Sequence, residues 1–167
     1  MKRLFLLLAA ALISATTFAQ KFAHIDTEYI LGKIPAYQQA QTKLDNLSKD
    51  WQTEVEKKFN ELDEMYKKYQ AEVDILPEAT KQKREDEIIA KEKEAKELQK
   101  KYFGNNGELA KKRQELIKPI QDNVYNALKS VAADAGYDYI FDKVTGDIIY
   151  ANEKYDESDE VLNKIIK

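Results

Sequence analysis

The chain has a single histidine, His24, and no cysteine, which excludes disulfides and thiolate metal sites. No carboxylate cluster stands at a ligand spacing from His24, so that residue reads as structural or surface. Serine nucleophiles need a neighbouring base. Ser48, Ser130 and Ser158 lie in no nucleophile-elbow context, and no second histidine exists to serve them. Acidic groups such as Asp63-Glu64 and Glu85-Asp86-Glu87 fall in charged helical runs, where they form a solvated face; no EF-hand pattern occurs. Gly104-Asn105-Asn106-Gly107 matches the G-x-x-G loop that clamps a nucleic-acid backbone. That loop works inside an αβ domain with a basic surface, whereas here 27 basic residues face 30 acidic ones, a net charge of −3. The sequence thus points away from an enzyme, a cofactor, a metal and a nucleic-acid partner. One basic cluster remains, Lys111-Lys112-Arg113 with Lys100 and Lys101. Its simplest reading is ion pairing with acids on a neighbouring helix, and its alternative a weak attraction to anionic partners or a membrane surface.

The elements that would carry these residues follow from the pattern along the chain. Lys2 and Arg3, the apolar run Leu4 to Ile13, and Thr17-Phe18-Ala19 read as a signal peptide, residues 1–19, cleaved after Ala19. The apolar run is too short to anchor in a bilayer, and no cysteine follows it to take a lipid. The expected mature chain is exported, soluble and two charges more acidic than the whole. A third of all residues are charged, with only five glycines and three prolines, as in a long exposed helix or coiled coil.

Three zones are expected. In residues 20–35, Phe22-Ala23-His24-Ile25 alternates like a brief strand, and Asp26 or Thr27 caps one helical turn, Glu28 to Leu31, punctuated by Gly32 and Pro35. Residues 36–134 read as a long helical hairpin. An apolar stripe runs through Tyr37, Ala40, Leu44, Leu47, Trp51, Val55, Phe59, Leu62, Tyr66, Tyr69, Val73 and Leu76 in steps of three and four, a heptad seam. Leu76-Pro77-Glu78 is the reversal point, placing the tip near 75–78. The returning stretch is too polar for a lone helix, so antiparallel pairing is required. In residues 135–167, Gly136 ends the helix. "YDYIFD" and "DIIYA" then read as a β-hairpin across Thr145-Gly146. A short helix follows from Asp156, with Asp156 and Asp159 as a capping box and Val161, Leu162, Ile165 and Ile166 on its apolar face.

The two end zones together make too small a core to stand alone, so strands from several chains are expected to close a common one. The fold class is therefore mostly α with small β: a long antiparallel coiled-coil arm projecting from a small β-barrel-like trimerisation body. Two glycines in "YFGNNGEL" and a proline further on weaken the returning helix, marking Gly104, Gly107 and Pro119 as hinge candidates.

The strand followed by "DTEYIL", the long hairpin, "GYDYIFD" and the closing "YANEKYDESDEVLNKIIK" resemble the periplasmic chaperone family Skp, also called OmpH-like. The resemblance covers essentially the whole mature chain, the last two motifs being its most specific part. It implies a homotrimer whose arms enclose a cavity in the periplasm, holding unfolded outer-membrane proteins without ATP. On that implication Tyr66, Tyr69, Val73, Ile75, Leu76, Ile88 and Ile89 are client-binding candidates. Phe22, Ile25, Tyr139, Phe141, Ile148, Tyr150 and Leu162 are candidates for the trimer core. The chain departs from the basic charge of the best-known members. The other reading, from a different class, is a coiled-coil spacer or adaptor of the envelope that binds no client.

Overall fold

The computed structural model describes residues 20–166, so the expected signal peptide lies outside the described residues. The elements in order are β1 (Phe22–Ile25), α1 (Thr27–Lys33), α2 (Pro35–Glu72), α3 (Glu78–Phe103), α4 (Glu108–Ala135), β2 (Tyr139–Asp142), a 3-10 turn (Glu153–Tyr155) and α5 (Ser158–Ile166). They group into two compact units, Ile34–Asp122 and the terminal unit, which joins the residues up to Lys33 with those from Asn123 onward. The division falls inside α4, whereas the sequence placed the end of the arm near Asp134.

In the terminal unit, β1 and β2 pair in parallel, with Phe22 opposite Tyr139 and Ile25 opposite Asp142. Parallel neighbours need a long crossover, and here the whole of the other unit lies between them in the chain. The ladder is extended at both ends, by Asp138 N donating to Lys21 O (2.9 Å) and Lys143 N to Ile25 O (2.9 Å). Asp26 caps α1 by accepting from Tyr29 N at 2.8 Å. Gly32, expected to end that helix, lies inside it. Gly136, at φ 68°, ends α4, and Tyr137 N donates to Ala132 O across it at 2.9 Å, the six-to-one bond of a Schellman cap. Ile30 of α1 and Val161 of α5 are completely buried and form the heart of this small core.

The expected β-hairpin does not form. β2 pairs only with β1, and Asp147 to Ala151 makes no strand within the chain. A period-two pattern specifies an extended chain but not its neighbour. After Asp142 the backbone turns through Gly146 N to Asp142 O (2.9 Å) and leaves Ile149 fully exposed. The capping box at α5 is also corrected. Asp156 does cap, accepting from Ser158 N at 2.9 Å. Asp159 instead accepts the Tyr29 hydroxyl at 2.8 Å.

In the other unit, α2 and α3 form the expected antiparallel pair, turning at residues 73–77. Proline begins α2, where its missing donor costs nothing. The buried residues of α3 are Ile88, Ala95 and Tyr102, seven apart, and those of α2 are Ala40, Leu44, Val55 and Leu62. Polar bridges supplement this thin seam. Lys58 reaches Glu94 at 2.7 Å, Arg84 reaches Glu72 at 2.9 Å, and the Tyr69 hydroxyl donates to Glu85. The Lys58 and Lys91 ammoniums hold the Glu94 carboxyl down at about 2. The cluster near Lys111 is not bridged between helices as expected: Lys111 pairs with Glu108 (2.9 Å) and Lys112 with Glu115 (2.6 Å), both along α4 itself. Such pairs three residues apart satisfy the charges locally.

Candidate functional site

The first candidate surface lies at the turn of the α2–α3 pair. Ile75, in the turn itself, is 82% exposed. On α3 the seam follows the seven-residue spacing, so Ile88 faces inward at 4% exposure. Ile89, rotated by about 100°, is 61% exposed. Ile88 is therefore a packing residue and is not open to a partner in this structure. Tyr66 is partly exposed, while Val73, Leu76 and Tyr69 are half-buried, the last with its hydroxyl on Glu85. A stripe that is apolar in sequence thus opens progressively toward the turn, where the two helices no longer cover both sides of it.

The second surface is one face of the β1–β2 sheet. Strand alternation and the parallel register put Phe22, Tyr139 and Phe141 on the same face. Their rings form a ladder, with centroids 5.7 Å apart for Phe22–Tyr139, 6.1 Å for Phe22–Phe141 and 6.3 Å for Tyr139–Phe141. All three are exposed although they touch one another. The opposite face carries Ala23 and Ile25, both buried. Ile25, expected in a core shared between chains, is therefore part of this chain's own core. Tyr150 is exposed, and Ile148 and Leu162 are half-buried.

His24 shares the ladder face, but the segment after Ala151 covers it. Its Nε2 lies 3.1 Å from Asn152 O, and Glu157 N donates to its carbonyl at 2.9 Å. Its Nδ1 is buried without a hydrogen-bond partner, 3.7 Å from Asp156. Lys143 bridges Asp156 and Asp26, at 3.3 Å from each. Burial works to raise the Asp156 pKa, but Ser158 and Lys143 outweigh it and hold the carboxyl below its ordinary value. Among the described residues no group of three or more His, Asp or Glu side chains is placed to hold a metal.

One residue that sequence reasoning passed over organises this unit. Asp142 accepts from Thr27 Oγ1 (2.7 Å), Thr27 N (3.3 Å), Thr145 Oγ1 (3.0 Å) and Val144 N (3.1 Å). Burial pushes its pKa up, yet these donors together keep it below the usual carboxylate range. The signal was present in part, since an Asp four residues before Gly146 suits a turn. Its bond to Thr27, far away in sequence, left no trace in the pattern.

The third candidate is the joint. α3 ends at Phe103 and α4 begins at Glu108, so the helix does break at the expected glycines. Pro119 lies inside α4 without interrupting it.

With this geometry in hand, the sequence pattern of the outer membrane protein (OmpH-like) family matches residues 21–165, nearly the entire described chain. The chain belongs to the OmpH-like outer membrane protein family. A crystal structure of a candidate outer membrane chaperone (OmpH-like) from Caulobacter crescentus CB15 has a similar fold, at a TM-score of 0.67. The match covers 88% of this chain and 84% of that one at 12% identity, which makes the likeness one of fold. No curated protein sequence matches. In OmpH-like terms, the α2–α3 pair is the helical hairpin of the family.

Proposed function

We propose that this OmpH-like chain is an ATP-independent holdase of the periplasm that keeps unfolded outer-membrane proteins from aggregating. The observation that carries the reading is the exposure of Ile75 in the hairpin turn and of Ile89, about three turns along α3, on an otherwise charged pair of helices. Exposed apolar surface of this kind marks a binding site. Contacts there are few and unshaped, which suits an extended client of variable sequence held by many weak interactions. Tyr66, Tyr69, Val73 and Leu76 extend the surface down α2; Ile88 supports it from the seam.

The functional form is a homotrimer assembled through the terminal unit. A two-stranded sheet is marginal alone, and the Phe22–Tyr139–Phe141 ladder supplies an apolar face for a second copy to cover. The extended Asp147 to Ala151 segment, with Ile149 and Tyr150 exposed, supplies a strand for the unpaired edge of β2 in a neighbour. Several copies are what would turn single hairpins into the walls of a cavity. The 19-residue leader is removed after Ala19 on export.

The test is the aggregation of an outer-membrane barrel protein diluted from urea, with and without the mature chain. Suppression at one trimer per client, lost in the double variant Ile75→Asp with Ile89→Asp, is the expected result. No suppression by the unaltered trimer would leave a structural spacer as the better description.

A further inference from the structure

We infer that the joint between α3 and α4 is a latched corner rather than a free hinge, and that the latch is Tyr102 held between Trp51 and Glu54. Two observations carry this inference. The first is the packing of the glycines. At Gly104, a Cβ would stand 2.5 Å from the carbonyl oxygen of Lys100. At Gly107, it would stand 2.7 Å from that of Tyr102 and 2.9 Å from that of Lys101. Neither glycine has a positive φ, so what each provides is room for backbone against backbone. Gly107 is buried, its amide donates to Gly104 O at 2.8 Å, and its own carbonyl accepts from Lys111 N at 3.1 Å. The first turn of α4 is thus built directly onto the last turn of α3.

The second observation is what holds that last turn of α3. The Tyr102 ring lies flat on Trp51 of α2, with centroids 4.8 Å apart and planes 3° from parallel. Its hydroxyl donates to Glu54 Oε2 at 2.7 Å, and Phe103 meets the ring edge-on at 6.4 Å. Stacking and a charge-assisted hydrogen bond act on one side chain, one residue before the helix ends. With Tyr102 in place, α3 cannot leave α2 near the joint, and α4 is held by the backbone contacts of the glycines. A change of angle between α4 and the α2–α3 pair therefore requires Tyr102 to come off Trp51. This inference concerns one chain's helices and stands apart from whether clients are held.

The experiment uses the full mature chain, which has no cysteine of its own and a single tryptophan. Spin labels are placed on cysteines introduced at Lys93 of α3 and Gln114 of α4, with labelled chains diluted among unlabelled ones so that pairs within one chain are read. The unaltered latch gives a narrow distance distribution. Tyr102→Phe, which keeps the stack but loses Glu54, widens it, and Tyr102→Ala roughly doubles the width, as expected when a two-position element is freed. Trp51 emission shifts to longer wavelength in Tyr102→Ala. Gly107→Ala separates the two ideas directly. A free hinge would stiffen and its distribution narrow, whereas a latched corner is forced apart at Tyr102 and its distribution widens. Narrowing in Gly107→Ala, or unchanged width in Tyr102→Phe and Tyr102→Ala, would overturn the latch.

Discussion

The terminal unit and the α2–α3 pair are held by different kinds of interaction. The first depends on a few directed bonds between residues far apart in sequence. Asp142 binds Thr27, Asp26 N donates to Ser158 Oγ at 2.8 Å, and the Lys21 ammonium reaches Ala135 O at 2.6 Å. The second depends on a repeated seam and on ion pairs, most of them exposed, each worth little alone. A repeated seam tolerates substitution because each layer resembles the next. A small core stitched by single side chains does not, and it also leaves an aromatic face uncovered. The unit with the more specific bonds is thus also the one whose Phe22, Tyr139 and Phe141 stand exposed in this chain.

The sharpest way to break the comparison is at that uncovered face. Phe141→Asp is expected to abolish assembly, measured as native mass, while leaving the helical content of the chain in place. Ile140→Asp would be a poorer probe, because Ile140 pairs with Ala23 on the inward face. Ile30→Ala comes next. It empties a fully buried site in the smaller core and is expected to cost about 3–4 kcal/mol, read from denaturant unfolding of the terminal unit. Leu62→Ala, on the seam, should cost less, about 2 kcal/mol. Equal costs would erase the proposed contrast. Asp142→Ala should cost about 2 kcal/mol by leaving its donors unpaired, with the loss confined to the terminal unit when amide exchange is followed residue by residue.

The smallest effect is electrostatic and belongs to the helical pair. Glu94 has its folded pKa lowered from 4.5 to about 2 by Lys58 and Lys91. Its contribution is therefore present above pH 4.5 and is lost as pH falls toward 2. The thermal midpoint of helix unfolding should decline over that window by a degree or so more in the unaltered chain than in Lys58→Ala. An identical decline in both would show that the bridge adds nothing.

Local features were legible in the residues. Heptad spacing located α2 and the buried line through Leu44, Val55 and Leu62. Pro77 located the turn, Gly136 the end of α4, and the glycines the break at 104–107. Of the candidate residues, Ile75, Phe22, Tyr139 and Phe141 are exposed, whereas Ile88 and Ile25 are interior. Which side of a residue faces a neighbour depends on where that neighbour is, and the neighbour is set by contacts across the fold.

What the sequence determined by itself was periodicity and punctuation, because helix spacing, proline sterics and the freedom of glycine act within a few residues. Only the tertiary structure decided that β2 runs parallel to β1 instead of folding back on Asp147 to Ala151, and that Asp142 and Thr27 meet. It alone decided that Gly104 and Gly107 serve close packing beside a Trp51–Tyr102 stack. These outcomes rest on pairings between distant segments, Thr27 and Asp142 being 115 residues apart. No local pattern encodes such pairings, since the free energy that selects them exists only once both partners are in place.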